Sequence, residues 1–138
     1  MNHFMSRISR SGILFSLFVS LTFVGCSETG PASGFVQGVV TLDGAPLPNA
    51  ELAFYPEQGR ASQGVTDESG HYSLMFTYDT PGCLPGNHEV MITTRRLESE
   101  EQGAMLLPER VPRKYRKRGE LTAAVEPGEN EINFDLSK

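Results

Sequence analysis

One run of eleven residues, Gly64-Val65-Thr66-Asp67-Glu68-Ser69-Gly70-His71-Tyr72-Ser73-Leu74, limits what this chain can fold into more than any other stretch. Apolar or β-branched residues alternate on both sides of an Asp-x-x-Gly turn. Asp67 can accept hydrogen bonds from the turn backbone and Gly70 can take positive φ, so the run predicts a β-hairpin. Such a turn is scaffold, not catalyst, and the remainder of the chain reads as strands built around it.

The first strand is predicted over 35–42, an apolar and β-branched run that Asp43-Gly44 closes. Residues 45–50 bridge to a second strand at 51–55, where Leu52 and Phe54 alternate with Glu51 and Ala53, and Pro56 ends it because proline cannot donate to a ladder. The hairpin returns through 71–76 with Tyr72, Leu74 and Phe76 on one face. After the turn-rich segment 79–86, residues 88–94 alternate again, with Val90 and Ile92 facing the core. Residues 95–120 form a long excursion without helical period. The chain closes on 121–125 and 131–136, joined by Glu126-Pro127-Gly128-Glu129-Asn130, and Ile132, Phe134 and Leu136 alternate with Glu131, Asn133 and Asp135. About seven short strands, no amphipathic helix and no tryptophan predict one all-β domain over 35–138, an antiparallel β-sandwich.

The N-terminus has a different grammar. Arg7 and Arg10 precede an apolar run from Gly12 through Val24, too short to span a hydrocarbon core of about 30 Å and typical of a cleaved signal peptide. The run ends in Val24-Gly25-Cys26, a small residue followed directly by cysteine, which resembles the bacterial lipoprotein signal; Phe23 and Leu21 make the box imperfect. Residues 1–25 are therefore expected to be removed and Cys26 to become the first mature residue, carrying lipid as a membrane anchor on the periplasmic face or the exterior. Residues 26–34, small and polar with Gly30 and Pro31, suit a flexible tether. The twelve basic residues less Arg7 and Arg10 leave ten against seventeen acidic ones, a balance that argues against nucleic acid as a partner.

Lipidation of Cys26 leaves Cys83 without an intrachain partner, most simply as an inert thiol in Thr80-Pro81-Gly82-Cys83-Leu84-Pro85-Gly86. His71 and His88 are the histidines left in the mature chain; a metal would need Asp67 or Asp79 brought close by the fold, and no spacing announces such a site, so neither metal nor cofactor is expected. The Asp67–Gly70 turn lacks the alternating oxygen ligands of a calcium loop. The one unusual surface feature is the basic segment in which Arg110, Arg113, Lys114, Arg116, Lys117 and Arg118 surround Tyr115. It reads as a solvated loop that balances the acids at 98–101, or as a patch for an anionic partner, an acidic polysaccharide or lipid head groups, with Tyr115 as a stacking face.

Several of these motifs carry a family likeness. Gly38-Val39-Val40-Thr41-Leu42-Asp43-Gly44 with Pro46-Leu47, residues 50–56, the stretch 64–72, Pro85-Gly86-Asn87-His88-Glu89-Val90, Pro112-Arg113-Lys114-Tyr115 and the closing 125–136 resemble the carboxypeptidase regulatory-like domains of transthyretin-like fold, found as small lipoproteins notably in planctomycetes. The resemblance implies a seven-stranded Greek-key sandwich and no agreed activity. That fold also hosts the hydroxyisourate hydrolases, which use histidines, an arginine and a C-terminal Tyr-Arg-Gly-Ser tail. This chain ends Asp135-Leu136-Ser137-Lys138, and Tyr115-Arg116 runs on into Lys117-Arg118. Gly-x-Ser-x-Gly and His-Glu-x-x-His are absent too. The expectation is a non-enzymatic, lipid-anchored cell-envelope module for protein interaction or structure. The alternative is a lipoprotein that binds a small ligand or carbohydrate, with Tyr55, Tyr72, Tyr78, Tyr115 and phenylalanines as its aromatics; the partner is an unknown envelope protein or polysaccharide.

Overall fold

The computed structural model describes residues 32–95, 97–100 and 103–138, so the expected signal peptide, Cys26 and most of the tether lie outside the described residues. The strands are β1 (Gly34–Leu42), β2 (Ala45–Pro46), β3 (Glu51–Pro56), β4 (Ser62–Val65), β5 (His71–Ser73), β6 (Gly86–Thr93), β7 (Leu97–Glu100), β8 (Gly103–Leu106), β9 (Leu121–Val125), β10 (Gly128–Glu131) and β11 (Phe134–Leu136). A 3-10 turn spans Arg113–Arg116, and no α-helix occurs among the described residues. β1 begins one residue before the expected boundary: Gly34 exchanges backbone hydrogen bonds with Cys83 and Ala32 is already buried, so the tether's last residues pack on the domain.

One sheet runs β4-β3-β6-β9 and is antiparallel throughout. The other is built on β1, with β5 and β2 antiparallel along one edge. On its other edge β10 and β11 run parallel to β1, and both keep the same offset of 94 residues. The expected sandwich is therefore all-β as read but not purely antiparallel. The reason lies in the last connection: β9 belongs to the first sheet, so the chain crosses to the second before β10 and arrives running with β1, not against it. Among the described residues eleven short strands stand where about seven are expected, partly because long runs are broken; 128–136 is one pass along β1, interrupted at Ile132-Asn133. The excursion 95–120 holds the β7–β8 hairpin and the 3-10 turn.

The opening run behaves as its chemistry predicts within the turn and differently in its arms. Asp67 Oδ1 accepts the Ser69 amide at 2.9 Å, the Ser69 hydroxyl at 2.9 Å and the His71 amide at 3.0 Å, and Gly70 takes φ +79°. The arms part, however: β4 pairs with β3 and β5 with β1, and a single bridge from Gln63 of β4 to Met75, past the end of β5, joins them. The expected hairpin is thus a corner between the two sheets. Each arm presents one apolar face, and two sheets bury those faces against each other better than a single ribbon would.

Alternation decides the interior. Val40, Leu52, Phe54, Val90 and Ile92 are fully buried between the sheets. Phe54, Tyr72 and Phe134 form an aromatic cluster whose ring centroids lie 6.0 to 6.4 Å apart, a spacing that adds about 1 kcal/mol per pair beyond area burial. Each fully buried aliphatic side chain contributes roughly 1.5–3 kcal/mol. Asp43 (φ 51°) and Gly44 (φ 82°) form the two-residue turn between β1 and β2, as their sequence predicts.

Candidate functional site

The basic segment starts where Pro112 sets an extended entry and the 3-10 turn follows, Tyr115 donating its amide to Pro112 O at 3.1 Å. That turn points Tyr115 inward. Its ring is 8% exposed and joins the core, and the Ser137 amide donates to its hydroxyl at 3.3 Å. Tyr115 therefore does not serve as an exposed stacking face. An aromatic ring flanked by charges gains more by burying its body against the sandwich than by lying in water, and the Lys114 ammonium covers what remains, 4.7 Å from the ring centre. Tyr115 is the peg on which the cations hang.

Most of those cations have structural partners. Arg110 donates to Pro48 O, Arg116 Nε lies 3.8 Å from Glu109, and Arg118 lies 3.3 Å from Glu89 with its guanidinium 4.1 Å over the Tyr55 ring. Arg113 and Lys117 stay exposed. The anchor for the segment is Glu109. Its carboxylate accepts the Thr93 hydroxyl, the Thr94 amide and hydroxyl at 3.2 Å each, and the Val111 amide at 2.8 Å. Burial pushes the Glu109 carboxyl up, but these donors outweigh it and hold the group below the usual glutamate range. Nothing local in the sequence marks Glu109, since its threonine partners lie 16 and 15 residues away at and just past the end of β6.

Register places the segment on the molecule. Gly34, at the start of β1, touches Val125 and Cys83, and Gly86 at the start of β6 pairs with Val125, so the tether enters at that end. Arg110 and Glu109 grip Pro48 and Thr93–Thr94 at the other end of the sheets. From there the segment runs back along β6 to Arg118, which walls an open groove of about 720 Å³ that Tyr55, Glu57, Asn87, Glu89 and Thr122 also line.

The fold also brings together the side chains of Cys83 and His88, five residues apart in the sequence. Cys83 Sγ lies 3.6 Å from His88 Nε2, and that same nitrogen is 2.7 Å from Leu84 O. The short carbonyl contact requires Nε2–H, so that nitrogen has no lone pair for the thiol proton. Cys83 is 0% and His88 2% exposed, with Ser62 Oγ buried nearby. Burial pushes the Cys83 thiol up, against smaller opposing effects of the Ser62 hydroxyl and the Leu84 backbone. A neutral thiol sealed between sheets is a core residue, not a nucleophile. His71 sits apart, exposed at the Asp67 turn. Among the described residues no group of three or more His, Cys, Asp or Glu is placed to hold a metal ion.

Comparison with known proteins adds little to this geometry. No family model and no curated protein matches the chain. Among solved structures, a 9R-lipoxygenase from Cyanothece PCC8801 is similar over 75% of this chain and 16% of that one, at 14% identity and a TM-score of 0.34. The chain thus spans about a sixth of that protein, and a likeness at this level carries no argument about fold or chemistry.

Proposed function

We propose that this chain is a non-enzymatic, lipid-anchored module of the bacterial cell envelope, a transthyretin-like Greek-key sandwich of the carboxypeptidase regulatory-like kind that serves protein interaction or structure. The observation that carries the reading is the placement of reactive groups. The cysteine and histidine that the fold brings together are closed between the sheets, while the outer surface offers an anchored cationic segment. The anchor itself is argued from the sequence around Cys26. Growth of a bacterial host expressing the full chain with radiolabelled palmitate tests it. Label in the mature protein and its loss in Cys26→Ser are expected; an unlabelled, fully soluble mature protein refutes the anchor.

A second reading, a lipoprotein that binds a small ligand or carbohydrate, is favoured by the groove beside Arg118. Its mix of a tyrosine ring, two carboxylates and an amide suits hydroxyl-rich ligands. In the unliganded protein Arg118 covers the Tyr55 face, so a sugar has to displace it before stacking. Saturable calorimetric binding of oligosaccharides that Tyr55→Ala removes distinguishes this reading from the first.

A further inference from the structure

We propose that the tether-entry end of the sandwich docks on the lipid surface, with Phe35 and Tyr78 as its apolar anchors. The inference rests on the reading of Cys26 as a lipidated residue. From Cys26 to Gly34 is eight residues, which even fully extended cannot reach beyond ~29 Å. β1, at ~3.3 Å per residue, has nearly that length itself. The entry end of the domain is therefore held within about one domain length of the bilayer, whatever path the tether takes.

That end carries apolar groups that the described residues leave exposed. Phe35, the second residue of β1, is 49% exposed and shares a hollow of about 250 Å³ with Pro81. Pro81 bridges to Met75, which is 37% exposed, and the turn between them lifts Tyr78 into solvent at 100% exposure. Nothing about this turn is loose. Phe76 donates its amide to Thr80 O at 2.8 Å, and the Thr77 hydroxyl donates to Asp79 at 2.7 Å. A fixed turn that holds a tyrosine wholly in water gains nothing for the fold, whereas a ring with a polar tip is at home at a membrane interface.

Charged residues at this end include Asp79, Glu126, Glu129 and Arg60, so its balance is acidic. Attraction here is apolar, and zwitterionic lipid is the preferred surface. Arg110, which donates to Pro48 O, and the exposed Arg113, two residues before the Tyr115 that meets Ser137 past β11, lie toward the opposite end and are turned away from the bilayer when the entry end docks.

The chain contains no tryptophan, so single substitutions give unambiguous reporters. Full-length Phe35→Trp, Tyr78→Trp and Arg113→Trp proteins, expressed in a bacterial host and reconstituted in phosphatidylcholine vesicles with brominated acyl chains, report depth by quenching. Emission of the first two is expected to fall about twofold, as befits rings buried roughly 5–10 Å into the interface, with Arg113→Trp unaffected. Quenching of Tyr78→Trp no greater than that of Arg113→Trp overturns the proposal. The mass of the mature N-terminus separates the two ways to fail. Acylated Cys26 without quenching refutes docking and leaves the anchor standing, and an unmodified Cys26 overturns both.

Discussion

Gly38 sits mid-strand where a side chain should be harmless, yet the fold leaves it no room. A Cβ built there stands 1.8 Å from Ile132 O and 2.6 Å from Ile132 C. Ordinary contact begins near 3.4 Å, so in Gly38→Ala the Ile132 carbonyl has to retreat by about 1.5 Å. Three hydrogen bonds hold the Ile132-Asn133 break in the last pass, two from β1 and one from β5: the Ile132 amide to Gln37 O at 2.9 Å, the Val39 amide to Asn133 Oδ1 at 2.8 Å, and the Tyr72 hydroxyl to Ile132 O at 2.6 Å. Losing two of them costs about 2 kcal/mol, residual overpacking about 1–3 kcal/mol, and the stiffer unfolded chain returns about 0.5 kcal/mol. A net loss of about 3 kcal/mol is expected, a large share of the ~5–15 kcal/mol that holds a domain together. Urea unfolding followed by far-UV circular dichroism reads it as a midpoint lower by roughly 1–3 M. Gly44→Ala is the control, since nothing lies within 4 Å of its Cβ and only its φ of +82° is strained; about 1 kcal/mol is expected. Because Tyr72→Phe removes a bond to the same carbonyl, the double variant should lose less than the two single losses added. A Gly38→Ala protein within about 0.5 kcal/mol of the parent, or strict additivity with Tyr72→Phe, refutes the reasoning.

Two further perturbations probe the candidate site. Burial raises the Cys83 thiol and the Tyr72 phenol above their ordinary values, so the unfolded chain releases their protons first as pH rises. Their contribution to stability is therefore level below about pH 8.5 and falls above it, by up to about 1.4 kcal/mol per pH unit for each proton; Cys83→Ala should flatten the first part of that fall in urea titrations across pH 7–10, and an unchanged slope counts against the buried neutral thiol. Glu109 is held below its ordinary range, so its contribution is full above the unfolded carboxyl value and is lost as pH drops through the lowered one. Glu109→Gln should cost about 2 kcal/mol and free residues 108–116 to rapid amide exchange. Unchanged protection at Val111 and Tyr115 would show that the carboxylate does not anchor the segment.

Local chemistry made part of this molecule legible in advance. Val90, Ile92, Phe134 and Leu136 are buried where alternation places them, and the Asp43-Gly44 and Asp67-to-Gly70 turns form from the residues that announce them. What sequence could not show is pairing across distance. The arms around Asp67 go to different sheets because each needs a facing partner, and the parallel match of β1 with β10 and β11 joins residues 94 positions apart with no local sign. Tyr115 reads as surface by its charged neighbours, but whether a ring among cations turns in or out depends on the hollow beneath it. The nearness of Cys83 to His88 likewise follows from a loop folding back on β6.

The proposed envelope role gives the basic segment a partner test that its own geometry sharpens. Six cations lie between Arg110 and Arg118, yet Arg116 and Arg118 face carboxylates, Arg110 is committed to a carbonyl and Lys114 covers Tyr115. An anionic polymer that binds here gains most from Arg113 and Lys117, which are exposed and give up no ion pair among the described residues, and little from Arg118, whose recruitment would strip Glu89 and Tyr55 of their contacts. Surface attraction of this kind is screened over about 10 Å at 0.1 M salt, so retention on immobilised polygalacturonate is expected at low salt and lost within the physiological range. Arg113→Gln with Lys117→Gln should elute at clearly lower salt than the parent, and Arg118→Gln close to it. Equal elution of all three proteins, or no retention at about 0.02 M salt, where the Debye length exceeds 20 Å, refutes a polysaccharide role for the segment and leaves it as a solvated strap that Glu109 and Tyr115 hold against the sheet.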